Sequence, residues 1–516
     1  MDGEEMRKRW NELSEEITSG MAEWRSQHPK TTLREIETEI DKHLSILRAR
    51  MITDTALHSV QAEWKVGSRE VVCPTCGAKL EGKGKKKRRL KTRGGQEVEL
   101  EREYGVCQQC GQGIFPLDEE LEVLPGVLTP QGHECLVRLS SWMPFAKAAE
   151  MLEDFMGIQV SRSMSQRYTE AAGVAYEQIQ VEEVERIEKE MPVAEKGADK
   201  IQISADGAMV PLLHGVWAEV RTLVIGEVQP AVEEKGEKVV RTRKLSYFSR
   251  KVSAQEFQRL ALVEMQRRGV EHAKEVAAIM DGADWEQGFT DYHCPRATRI
   301  LDFPHAAEHV NGIGEFLHGE HTPEGQTWLK ECLHQLKHEG PDELLLEFRA
   351  LQQRHPDSKA VSGNLAYLEK RKSQMQYPLF QAQGWPIGSG IVESGNKLVV
   401  EARLKGAGMH WAEQHVNPML ALRNIICSER WKEEWPRIEA RLRQQTRQRR
   451  TRLHQLRCTL PQAAPSRSSP DLDARFMQAL ATRIEQQNLL KKPKSSPWRN
   501  FKHGKALHHR PDPPKK

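Results

Sequence analysis

Three acidic residues stand in small-residue settings suited to chemistry: Asp206 in ISADGAMV, Asp281 in AAIMDGADW and Glu393 in PIGSGIVESGN. The first two each close a run that reads as a buried strand, Ile201–Ala205 and Val276–Met280, and each precedes a glycine. A strand end is rigid, and glycine lets backbone or substrate approach the carboxylate closely. Glu393 follows Gly388-Ser389-Gly390 at what reads as a helix start. Asp-Gly pairs taken singly are common and mostly mark turns, so the weight lies in the joint placement. Converging carboxylates repel one another unless a cation neutralises them, and an all-oxygen ligand set selects magnesium or manganese over zinc. Two strand-end aspartates and one helix-borne glutamate can hold two such ions roughly 3.5–4 Å apart, the arrangement of in-line phosphoryl transfer. Asp302, ending a short strand in Asp302-Phe303-Pro304-His305, is the rival second acid, and His305 can orient water or phosphate. A helix cap with a satisfied histidine accounts for the same two residues.

A second constellation is Cys73-Pro74-Thr75-Cys76-Gly77 with Cys107-Gln108-Gln109-Cys110-Gly111. Each knuckle brings two thiolates to one ion, and four sulfurs suit a tetrahedral structural zinc with no position left for water. The basic run Lys83–Arg93 and the alternating Val98–Tyr104 lie between the pairs and read as a hairpin. The remaining cysteines are scattered and read as incidental thiols.

The elements that must position these groups divide the chain. Residues 1–66 carry helical periodicity, with Thr32 and Glu35 spaced as a capping box; 67–120 hold the four-cysteine zinc ribbon. Residues 128–190 read as a helix-turn-helix, whose second helix from Ser161 presents Arg162, Ser163, Gln166 and Arg167. Residues 198–310 alternate strand and helix, in the order of an RNase-H-like sheet. An all-helical insertion spans 311–384, the core resumes over 385–435 with Glu393, and 436–516 read as a basic, largely disordered tail. The expected fold class is thus multidomain α/β. Arg403, Lys405 and Lys397 are candidates for phosphate contact, with a solvated helix face as the commoner explanation. Trp328 and Trp385 are candidates for stacking on an unpaired base, with core packing the commoner one.

The chain has 516 residues, 29% of them charged and 6% aromatic, with a formal net charge of +4. That length calls for several domains. Basic residues concentrate in Lys83–Arg93 and from Arg441 onward, which points to nucleic acid as a partner. No stretch approaches the roughly 18 apolar residues of a membrane span, the amino terminus is unlike a secretory signal, and paired cysteines suit a reducing cytoplasm.

The series Asp-Gly, Asp-Gly-Ala-x-Trp, Asp-Phe-x-His-Ala-x-Glu-His and Gly-Ser-Gly-x-Val-Glu resembles the DDE transposases of ISKra-type insertion sequences, relatives of the Mutator-like enzymes. The resemblance runs from about Gln202 to Trp431, and the preceding zinc and helix-turn-helix segments fit the same layout. It implies Asp206, Asp281 and Glu393 as first, second and third acids and puts the family's Asp-x-x-His element on Asp302 and His305. It further implies two magnesium or manganese ions, double-stranded DNA as substrate (element ends and target), a homodimer or larger assembly, and residence in the cytoplasm at the nucleoid. A non-cleaving DNA-binding regulator and a host nuclease are the alternatives.

Overall fold

The computed structural model describes residues 3–62, 71–194, 197–234 and 237–459. Helices α1 (Gly3–Gln27) and α2 (Leu33–Leu57) pack antiparallel, with the Trp10 indole donating to Asp54 at 3.1 Å. Thr32 caps α2: its hydroxyl accepts from the Glu35 N–H, and the Glu35 carboxylate accepts from the Thr32 N–H at 2.8 Å. Strands β1 (Leu80–Lys91), β2 (Glu97–Cys107) and β3 (Gly113–Ile114) form an antiparallel sheet. On it, Lys87 meets Glu99 at 2.7 Å and Arg89 meets Glu99 at 3.0 Å, while Arg88 turns inward to Asp118. The basic run is therefore faced by a row of glutamates and is no bare cationic patch. Helix α3 (Pro116–Glu120) leads to α4 (Pro130–Trp142), α5 (Phe145–Met156) and α6 (Arg162–Glu190). The turn between α5 and α6 needs Gly157, whose φ is 65° and whose Cβ would lie 3.1 Å from the backbone of the Gly94-Gly95 hairpin tip.

The central sheet follows. Its strands are β4 (Lys200–Pro211), β5 (Trp217–Val228), β8 (Thr242–Arg250), β9 (Glu275–Met280) and β10 (Thr298–Leu301), after a small β6–β7 ribbon (Val232–Glu234, Glu237–Val239). The order is β10-β9-β4-β5-β8. β4, β5 and β8 pair antiparallel; β9 and β10 run parallel to β4. Helices α7 (Ala254–Arg267) and α8 (Asp284–His293) link β8, β9 and β10. Side chains alternate across the sheet. Ala278 and Met280 join α6 and α7 in one core, while Ala277 and Ile279 face the other side.

That other side is covered by α9 (Phe303–His318), α10 (Pro323–His338), α11 (Asp342–Arg354), α12 (Lys359–Lys370) and α13 (Tyr377–Ala382), through Leu336, Phe348, Leu365 and Leu368. Next come α14 (Gly390–Gly395), a π-helix (Asn396–Glu401), α15 (Ala402–Leu404) and α16 (Glu413–Cys427), which cover the end of the sheet carrying Val210 and Val220. Residues 436–459, read above as the start of a tail, instead continue α17 (Trp431–Thr459), because Trp435, Ile438 and Leu442 recur at helical spacing and bury against Ala175 and Ile179 of α6. Residues 460–516, the rest of the expected tail, lie outside the described residues. No described helix is long and apolar enough to cross a membrane.

Candidate metal centre

Asp206 lies inside β4 rather than at its end, since β4 stays paired with β5 to Pro211. The parallel pairing of β4 with β9 ends at Ile203 and Ala278, so beyond it the two strands diverge and leave room between Asp206 and Asp281. Asp206 accepts from the Gly207 N–H at 2.6 Å and from the Asn396 amide at 2.9 Å. Asp281 follows β9 and closes a turn, accepting from the Ala283 N–H at 2.8 Å. The chain then enters α8, whose first turn carries Glu286.

Glu286 is the residue that sequence reasoning passed over. One oxygen each of Asp206, Asp281 and Glu286 can be chosen so that all three lie within 4.8 Å of one another. Glu286 is fully buried; one carboxyl oxygen accepts from the Gly282 N–H at 3.0 Å, and no donor reaches the other. Burial, contact with Asp281 and the charges of Asp281 and Asp206 push its carboxyl up to about 10. Two carboxylates cannot donate to each other, so a proton on Glu286 turns the contact with Asp281 into a hydrogen bond. Burial also raises Asp206, reinforced by Asp281 and Glu393 and opposed by the Gly207 and Asn396 bonds. Buried and half-buried acids held this close take up protons or cations. The available signal for Glu286 was its place five residues after Asp281, in the first turn of the following helix.

Tyr367 of α12 and Arg371, the residue that ends that helix, hold this turn. The Tyr367 hydroxyl donates to the Asp281 carbonyl, and Arg371 donates to the Gly282 carbonyl through Nε at 2.9 Å. Gly282 has φ 87°, and a Cβ there would lie 2.4 Å from Arg371 Nε. Only glycine fits. The helical insertion thus bears directly on the acidic turn, which no local pattern in the sequence reveals.

Glu393 is exposed on α14, outside the group of three, although its charge raises both Asp206 and Asp302. Asp302 is buried, and both of its oxygens are used. One accepts from the Ser389 N–H at 2.6 Å; the other caps α9 by accepting from the His305 N–H at 3.2 Å. Asp302 therefore ties the start of α9 to the loop that leads into α14 and Glu393. His305 lies 3.4 Å from Glu308 and stands edge-on to His309 and Tyr367. The π-helix after Glu393 begins with Asn396, the donor to Asp206, and its Leu398 and Val399 carbonyls accept from buried Arg423, which also reaches Ser141 of α4. Such π segments recur at functional sites.

Other candidates fall elsewhere. Arg403 is buried between Phe145 and Trp411, with Nε donating to the Ser140 carbonyl at 2.9 Å, so it is no phosphate ligand at the surface. Lys405 pairs with Glu401, Lys397 is exposed, Trp385 is buried under Lys200 and Trp328 packs on Phe348.

The four cysteines also converge. Cys73 Sγ lies 3.6 Å from Cys110 Sγ and Cys76 Sγ 3.4 Å from Cys107 Sγ, with all four within 4.8 Å. A disulfide would need about 2.05 Å, whereas four sulfurs at about 2.3 Å from one tetrahedral ion stand about 3.8 Å apart. The distances fit an ion. Gly77 and Gly111, at φ 73° and 69°, make the two knuckles. The Cys110 N–H and neighbouring thiols pull Cys107 down to about 7, while burial pushes Cys110 up to about 12.

The family described as "Uncharacterised protein family (UPF0236)" matches residues 77–433, well over half of the 516. The chain belongs to this family. The match takes in Asp206, Asp281, Glu286, Asp302 and Glu393 and leaves out Cys73, Cys76 and the α1–α2 pair. Among curated proteins, none matches the chain.

Proposed function

We propose that the chain is a metal-dependent DNA transposase whose acidic centre is Asp206, Asp281 and Glu286, completed by the exposed Glu393 of α14. The observation that carries this reading is the convergence of Asp206, Asp281 and a buried, donor-free Glu286 oxygen where two parallel strands diverge. An all-oxygen set suits magnesium or manganese, which Asp206, Asp281 and Glu286 would hold, with Glu393 as a further carboxylate nearby. Bound divalent cations would supply an activated water and neutralise charge on the leaving 3′ oxygen. The chain's own groups do the rest. Asn396 orients Asp206, Tyr367 and Arg371 fix the Asp281 turn, and Asp302 holds the Glu393 loop. The strand order supports an RNase-H-like core, with three antiparallel strands followed by two parallel to the first. The four cysteines fit a structural zinc in a ribbon, and α5-turn-α6, with Arg162 and Arg167 exposed, fits a helix-turn-helix for the element's ends.

The test is cleavage of duplex DNA bearing the element's own ends, in magnesium. Wild type should cut, while Asp206→Asn, Asp281→Asn, Glu286→Gln and Glu393→Gln should bind DNA without cutting. Binding without cleavage by wild type would favour the regulator; cleavage without joining of the 3′-OH would favour the nuclease.

A further inference from the structure

The N-terminal helix α2 presents an apolar row that no other described residue fully covers. Leu33, Ile40, Leu44 and Met51 are 71%, 39%, 50% and 37% exposed. At 3.6 residues per turn they fall within roughly 40° of arc over about 27 Å of helix. α1 packs on one side of this row, reaching Asp54 through Trp10, and the β1–β2 tip packs on the other, where Arg48 donates to Thr92 at 2.7 Å. The row between them faces solvent.

Its spacing is self-complementary. If two copies of α2 lie antiparallel about a twofold axis at Lys42, Leu33 meets Met51 and Ile40 meets Leu44. A twofold contact requires one patch that matches itself reversed, and this one does. Charge agrees. The first nine residues of α2 carry Glu35, Glu37, Glu39 and Asp41 against one base, Arg34; the remainder carries Lys42, Arg48 and Arg50 against one acid, Asp54. Antiparallel pairing sets the acidic half of each copy on the basic half of the other, and Glu37 comes alongside Arg48. Parallel pairing would set like on like. The one like-charge meeting in the antiparallel pair is Asp41 with its own copy near the axis.

We propose that this face of α2 is the dimer interface of the protein, and that its occupant is α2 of a second copy. The inference is independent of the reading of the acidic centre. It lies outside the family match, so the helix pair is a pairing device on a core shared with relatives.

Sedimentation of the full chain at micromolar concentration tests it. Wild type should be a dimer, and Ile40→Glu with Leu44→Glu should weaken association by at least about 100-fold, with unchanged circular dichroism because both side chains are exposed. Asp41→Asn should tighten it. Joined Leu33→Cys and Met51→Cys chains fix the direction: mixed single variants should cross-link 33 to 51 above the background of wild type. A monomeric wild type, a dimer indifferent to the double variant, or links of 33 to 33 would each overturn the proposal.

Discussion

Replacing Glu286 by Gln should change how stability depends on pH more than it changes stability itself. The carboxyl titrates at an ordinary 4.5 when exposed and is pushed up to about 10 in the folded chain. Between those values the folded chain holds one proton more than the unfolded chain. Stability is then greatest at low pH and falls as pH rises, by about 1.4 kcal/mol per unit. From pH 6 to pH 8 the loss is about 2.7 kcal/mol, a large share of the 5–15 kcal/mol that holds a typical domain. Gln cannot titrate, and it fills the same volume with the same acceptor for the Gly282 N–H. Urea unfolding of both proteins in EDTA, at half-unit steps between pH 6 and 8, isolates the effect, because the titrations of groups remote from Glu286 are common to both and cancel in the difference. The stability of wild type relative to Glu286→Gln should fall by about 1.4 kcal/mol per pH unit. Saturating magnesium should flatten that slope, since the cation displaces the proton. Parallel profiles in EDTA would show that Glu286 is already ionised at pH 6 and refute the argument.

Tyr367→Phe removes the hydroxyl bond to the Asp281 carbonyl; manganese affinity, read by calorimetry, should fall by about 10-fold with about 1 kcal/mol lost in stability. Elemental analysis of wild type should find stoichiometric zinc; Cys76→Ser should abolish it and expose the 71–115 segment to protease, while leaving the central sheet protected from hydrogen exchange. Asp302→Ala should cost about 0.5–2 kcal/mol through the lost α9 cap and lower cleavage by freeing the Glu393 loop, yet manganese should still bind the group of three. Loss of manganese binding in that variant would make Asp302 a ligand.

What was legible in the sequence was mostly local. Cys73, Cys76, Cys107 and Cys110 announce themselves by spacing, and the structure brings their sulfurs together. Asp206 and Asp281 follow apolar runs that form adjacent strands, because a buried parallel strand reads as an unbroken apolar stretch. The extent of β4 was underestimated, as pairing with β5 continues past Asp206 through mixed residues. Glu286 was hidden because a glutamate in a first helical turn reads as a favourable charge at the helix dipole, and only the fold turns it inward. Tyr367, Arg371 and Arg423 act on the centre from elements distant in sequence. Arg403 shows the reverse case, a cation near Glu393 in sequence that packing takes into the interior.

The most direct test of the acidic centre is an anomalous difference map from crystals grown in manganese. Peaks should be bounded by Asp206, Asp281 and Glu286, two of them roughly 3.5–4 Å apart once DNA is bound, with Glu393 turned inward. An empty cluster at saturating manganese, or peaks seated on Asp302 instead, would contradict a metal centre at these three acids.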